Sequence, residues 1–277
     1  MTPVPTEIAI RSGRATLVAE AAGEGSPVVF LHAGVADRRM WRGQLDALAR
    51  GRTGCRAIAY DRRGFGDTLH ADERYSHVGD LLAVLNALAP RTPAILVGCS
   101  QGGRIAIDTE LAHPARVRAL LLVAPAISGA PEPTSLPPAI QAWVERVDDA
   151  EQASDIDRLN ALEAHAWLDG PLEPEGRVGG PVRELFLAMN EIALRAEARG
   201  VETEPPDAWD RLHEIACPAL VAWGDRDFPQ VDANCRHLAS RIPGARTHVM
   251  HGAAHLPNLE QPAAFDRMLL DFCASAR

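Results

Sequence analysis

The stretch that most constrains this chain is Ile95-Leu96-Val97-Gly98-Cys99-Ser100-Gln101-Gly102-Gly103, continuing into Arg104-Ile105-Ala106-Ile107. A short apolar run ends in Gly-x-Ser-x-Gly and passes straight into a helix-compatible segment. This spelling predicts a strand that turns sharply into a helix and presents Ser100 at the tip of the turn. Gly98 and Gly102 then have a steric job, because such a turn leaves no room for a Cβ on its neighbours. A passive serine in a glycine-rich turn has the same spelling. A nucleophilic Ser100 needs a base to take its proton and an acid to orient that base, and both must come from elsewhere in the chain.

The surrounding pattern says what kind of sheet carries the turn. Glu7 to Ile10 and Ala15 to Glu20 read as a hairpin hinged at Ser12-Gly13. Pro27 to Leu31 is a compact buried strand running into His32-Ala33-Gly34, and Asp37 to Arg50 has helical spacing with Met40, Trp41, Leu45 and Leu48 on its apolar face. A strand over 56–60 leads into Asp61-Arg62-Arg63-Gly64-Phe65-Gly66-Asp67, and an amphipathic helix over 78–88 ends before Pro90. A further strand is expected from Val117 to Ala124. Alternating short strands and helices imply parallel pairing through crossover helices, an α/β sheet. The texture changes near Ile127: a Pro/Ser/Gly-rich link is followed by helical patterns at about 138–149, 154–168 and 181–199, with no convincing strand, up to a second Pro-rich link at 202–207. The α/β rhythm then resumes with strands over 218–223 and 246–250 and helices over 231–241 and about 260–275. The expected organisation is a core of 1–126 and 208–277 interrupted by a helical insert of 127–207.

Composition excludes several chemistries. In 277 residues with a net charge of −9, every one of the 28 basic residues is arginine. The absence of lysine removes Schiff-base, Walker-type and Ser–Lys mechanisms, and scattered arginines outnumbered by acids do not make a nucleic-acid surface. Five widely spaced cysteines, with no Cys-x-x-Cys, form neither a disulfide framework nor a zinc pattern, and suggest a reducing, cytoplasmic setting. Met1 to Glu7 lacks the basic and apolar regions of a leader, and the longest apolar run, 119–127, is too short to span a bilayer. No His-x-His or His-Glu-x-x-His spacing supports a metal site. We therefore expect a soluble monomer or homodimer with a small-molecule substrate and no cofactor, metal, nucleic-acid or membrane partner.

Strands of a parallel sheet open their C-terminal ends onto one edge, where ligands bind. One strand after the insert ends in Trp223-Gly224-Asp225-Arg226-Asp227 and the next in His251-Gly252-Ala253-Ala254-His255. Ser100, an aspartate and a histidine can thus meet although they are distant in sequence. Either Asp225 or Asp227, and His248, His251 or His255, could supply the pair.

With these motifs in the order Ser…Asp…His, the chain resembles the α/β-hydrolase fold family, specifically its serine hydrolases with a helical cap. The resemblance rests on His32-Ala33-Gly34 with Trp41 downstream, Asp61 to Gly66, Gly98 to Gly102, and Gly252-Ala253-Ala254-His255 with Glu260 and Pro262 after it. It implies a mostly parallel eight-stranded sheet flanked by helices. It further implies Asp227 as the acid, His255 as the base, and an oxyanion hole formed by the backbone N–H groups of Gly34 and Gln101. Ala33 stands where relatives usually carry glycine, and Gly34 where many carry a bulky residue, which implies a roomier site beside the hole. Asp61-Arg62 and the glycines after it are, in relatives, a structural turn. Cys99 should point away from the tip as a buried thiol. Trp143, Trp167, Phe186 and Met189 are candidates for lining the substrate pocket or for packing within the insert. The activity implied is hydrolysis of a small carboxylic ester or lactone. C–C bond hydrolases and cofactor-free haloperoxidases share the same triad, and some relatives are ligand receptors.

Overall fold

The computed structural model describes residues 6–51 and 53–276. The start of the stretch read above for a leader, Met1 to Pro5, lies outside the described residues. Among the described residues ten strands and nine α-helices follow one another: β1 (Thr6–Ser12), β2 (Ala15–Gly23), β3 (Ser26–Leu31), α1 (Arg42–Arg50), β4 (Cys55–Tyr60), β5 (Glu73–Tyr75), α2 (His77–Leu88), β6 (Ala94–Cys99), α3 (Gln101–Ala112), β7 (Val117–Val123), α4 (Pro138–Gln152), α5 (Ile156–Glu163), α6 (Gly180–Leu194), β8 (Gly200–Glu202), β9 (Ala219–Gly224), α7 (Pro229–Arg241), β10 (Arg246–Met250), α8 (Pro257–Glu260) and α9 (Pro262–Ser275).

Eight strands form one sheet in the order β1-β2-β4-β3-β6-β7-β9-β10. β2 runs antiparallel to both its neighbours, and every other pairing is parallel. This is the α/β-hydrolase fold that the motifs implied. The hairpin closes where expected, with Ser12 opposite Ala15. The central strands are apolar on both faces, because helices cover both. Val28 and Phe30 face a cluster with Trp41, Leu45, Phe265 and Phe272, while Val29 and Leu31 face one with Leu81, Leu85, Ile105 and Leu238. Each such fully buried aliphatic or aromatic side chain stabilises the fold by roughly 1.5–3 kcal/mol.

Four local readings are corrected. The insert does contain a strand: β8 pairs in parallel with β5, far away in sequence, and three residues are too few to show alternation. The helix expected over 181–199 ends at Leu194, and residues 196–199 run without regular structure into β8. The last helix is broken at Gln261, since Pro262 starts a new helix at a position where its missing N–H costs nothing. The pattern at 154–168 resolves into α5 followed by one π-helical turn, Ala164–Asp169.

Candidate active site

Ser100 has φ 52° and ψ −118°, a strained conformation for a residue with a side chain. The structure around it enforces this. A Cβ on Gly98 would strike the Gly102 carbonyl, and one on Gly102 would strike the Leu31 carbonyl. The Ser100 N–H donates to Val123 O of β7, and its carbonyl accepts from Gly103, Arg104 and Ala126, so the neighbouring strand and the following helix grip the elbow. Ser100 immediately precedes α3, and Gln101 is the first residue of that helix, where N–H groups lack intrahelical partners and the dipole is positive.

β9 and β10 deliver the other two groups to the same sheet edge. His255 Nδ1 lies 2.6 Å from Asp227 Oδ2, and the second carboxylate oxygen accepts the Phe228 N–H at 2.7 Å. The side chains are 4% and 1% exposed. The competing residues found each other instead: His251 Nδ1 lies 2.8 Å from Asp225 Oδ2, but those side chains are 82% and 40% exposed. With its Nδ1 proton engaged by Asp227, His255 offers Nε2 as a proton acceptor. No hydrogen bond to the Ser100 hydroxyl is found among the described residues, and catalytic contacts of this kind commonly tighten only when substrate binds. Cys99, beside Ser100, is fully buried. Its buried thiol lies 3.6 Å from the His255 carbonyl, and burial pushes its pKa up, which keeps it protonated.

A match to the model of the alpha/beta hydrolase family spans residues 28–267. The chain belongs to that family. The hydrolase is 28% identical over 263 residues to a 2-hydroxy-6-oxononadienedioate/2-hydroxy-6-oxononatrienedioate hydrolase of Comamonas testosteroni, covering 92% of this chain and 90% of the relative. It is 27% identical over 256 residues to a pimeloyl-[acyl-carrier protein] methyl ester esterase of Aeromonas hydrophila, covering 90% and 96%. A solved N-acyl homoserine lactone degrading enzyme superposes with a TM-score of 0.73 at 27% identity, covering 96% of this chain and all of that one.

In this hydrolase a Cβ on Gly34 would lie 3.4 Å from the side-chain Oε1 of Gln101 and touch nothing else within 4 Å. Glycine at 34 is therefore not required by the fold and leaves open space beside the elbow. The insert residues separate into two groups. Phe186 and Met189 are fully buried in the larger apolar cluster and act as packing. Trp167, carried on the π-helical turn, sits with its ring 4.6 Å from the His255 ring and 4.6 Å from that of Phe228. Trp143 closes this aromatic group at 5.5 Å from Phe228, its indole N–H donating to Leu162 O. Phe228 was missed from sequence, although its place directly after Asp227 was the available signal.

The loop after β3 is held by buried polar groups. His32 Nε2 accepts the Arg62 N–H at 3.1 Å, so its Nδ1 carries the proton and donates to Ala33 O at 2.8 Å. Burial, then the Arg62 charge, keeps His32 neutral, with its pKa well below the usual histidine range. Among the described residues no group of three or more His, Cys, Asp or Glu is placed to hold a metal ion, and no helix is long and apolar enough to cross a membrane.

Proposed function

We propose that this hydrolase cleaves a small carboxylic ester or lactone through an acyl-enzyme intermediate on Ser100. The observation that carries the reading is the buried His255–Asp227 pair, set at the same sheet edge as the strained Ser100 elbow. Ser100 Oγ attacks the carbonyl carbon and His255 Nε2 takes its proton. Asp227 holds the imidazole in the required tautomer and stabilises the imidazolium. The Gly34 and Gln101 N–H groups receive the negative oxygen. His255 then protonates the leaving alkoxide and activates the water that releases the acid. The insert caps the site, with Trp167 and Phe228 forming an apolar wall.

The ester and lactone activities named for the Aeromonas relative and the solved lactone-degrading enzyme support this substrate class. The name of the Comamonas relative supports a second reading, C–C bond hydrolysis by the same residues. A graded series of p-nitrophenyl esters, acetate through octanoate, separates them. Ester hydrolysis predicts multiple turnovers by the wild type and a loss of about 10³-fold or more in Ser100→Ala with the fold retained. Near wild-type turnover in Ser100→Ala would remove Ser100 as nucleophile. No Ser100-dependent turnover on any ester would favour C–C cleavage.

A further inference from the structure

Two arginines sit side by side after β4, and they are held in different ways. Arg63 is a buried arginine with acidic partners, 2.8 Å from Asp80 and 2.6 Å from Glu73. Arg62 is fully buried, and no carboxylate among the described residues pairs with it. Its guanidinium donates from Nη1 to Gln101 Oε1 at 2.5 Å and from Nη2 to Ala33 O at 3.0 Å and His32 O at 3.3 Å. It lies 4.5 Å over the Phe65 ring, and its Nε has no hydrogen-bond partner among the described residues. An unpaired buried cation is a costly way to fill space in a turn, because a neutral side chain does so without desolvating a charge.

Its partners suggest what offsets that cost. The peptide between Ala33 and Gly34 is planar and trans, so its C=O and N–H point to opposite sides. Arg62 Nη2 and His32 Nδ1 both grip the Ala33 oxygen, which aims the Gly34 N–H the other way. Two donors on one carbonyl also polarise the amide and strengthen its N–H as a donor. The other arm of the guanidinium holds the side chain of Gln101, whose backbone supplies the second proposed donor. One guanidinium therefore contacts the carbonyl of the first donor peptide and the side chain of the residue that carries the second.

We infer that Arg62 is the positioning residue of the oxyanion hole, fixing both donor peptides and placing a positive charge behind the oxygen that becomes negative. The inference rests on the hydrolase reading above. It assigns to this turn a role in transition-state stabilisation that its spelling in the sequence does not reveal. It also accounts for the lack of a counter-ion. A carboxylate in contact with Arg62 would neutralise the field just where a second negative charge has to form.

The test compares wild type with Arg62→Met, Arg62→Lys and Gln101→Met on the p-nitrophenyl ester that wild type turns over best. Active sites are counted with a fluorophosphonate, and a trifluoromethyl ketone serves as the tetrahedral mimic. For Arg62→Met with a native circular dichroism spectrum, kcat per titrated site should fall about 10²-fold, with KM within about threefold. The affinity for the ketone should fall in parallel, and Arg62→Lys should lie between the two. A residue that only fills space would lower the melting temperature and the titratable fraction while leaving kcat per site and ketone affinity intact, and that result overturns the inference. Should Arg62→Met fail to fold, Gln101→Met carries the test, since it removes one anchor and keeps the backbone N–H. A loss of about tenfold in both kcat and ketone affinity is expected there, and no change overturns the inference. A wild type that neither turns over esters nor takes the label sinks the hydrolase reading itself, and this inference with it.

Discussion

Asp225 and Asp227 lie two residues apart, each bonded to a histidine of the next strand's loop, and burial separates their roles. The Asp225–His251 pair is open to water, where a charge pair contributes little and is screened. The Asp227–His255 pair is shielded beneath the Trp167 ring, so the carboxylate acts on the imidazole at low dielectric. Asp227→Asn should therefore lower kcat/KM by about 10³- to 10⁴-fold through loss of the correct tautomer, while Asp225→Asn stays within about threefold. Steady-state kinetics on a single ester decide this, and the reverse ranking would move the acid to Asp225 and the base to His251. In sequence the two pairs could not be told apart by composition or spacing, and only the family pattern selected Asp227. Burial is a property of the assembled sheet edge, and no local spelling encodes it.

At the scale of elements, what was legible followed from short-range rules. The elbow is legible because two glycines and a serine at fixed spacing have few alternatives once a strand precedes them. The core strands are legible because burial on both faces writes continuous apolar runs. The β5–β8 pairing was not legible, because its partners are brought together by the insert. Nor was the π-helical turn, whose residues carry an ordinary helical pattern and whose extra residue is stabilised by tertiary contacts. Buried Asp169 accepts the Gly176 and Val178 N–H groups and pairs with Arg183. Arg177 donates to the carbonyls of Leu168, Asp169 and Gly252 and reaches Glu260, whose other oxygen accepts the Ala254 N–H next to His255. The turn is thus clamped to the loop that carries His255, which fixes the place of Trp167 beside the His255 ring. Trp167→Ala should shift the preferred p-nitrophenyl ester toward longer acyl chains and raise KM for the acetate several-fold with a small change in kcat. An unchanged chain-length profile would make Trp167 a packing residue like Phe186.

For the whole molecule, the buried ionisable groups set opposing pH dependences. Burial pushes the carboxyl of Asp108 up to about 6, so the folded state holds its proton and gains stability as pH falls from 6 toward 4. The histidines act the other way. His77 is buried, and its Nδ1 has no partner among the described residues. Burial, then the charges of Arg62 and Arg104, pushes its pKa down to about 2. Glu202, 3.6 Å from Nε2, does not offset this, because Arg104 already engages that carboxylate at 2.9 Å. A histidine with a depressed folded pKa contributes stability that is complete above its unfolded value near 6.5 and is lost as pH falls below it, since the unfolded chain takes up the proton first. Replacing it with a residue that cannot titrate removes one proton of that uptake. His77→Gln should therefore change the slope of unfolding free energy between pH 6 and 4 by about 1.4 kcal/mol per pH unit, making the variant relatively more acid-resistant. Urea unfolding at pH 6.5, 5.5 and 4.5 measures this, and parallel slopes for wild type and variant would show that His77 takes up its proton within the folded state.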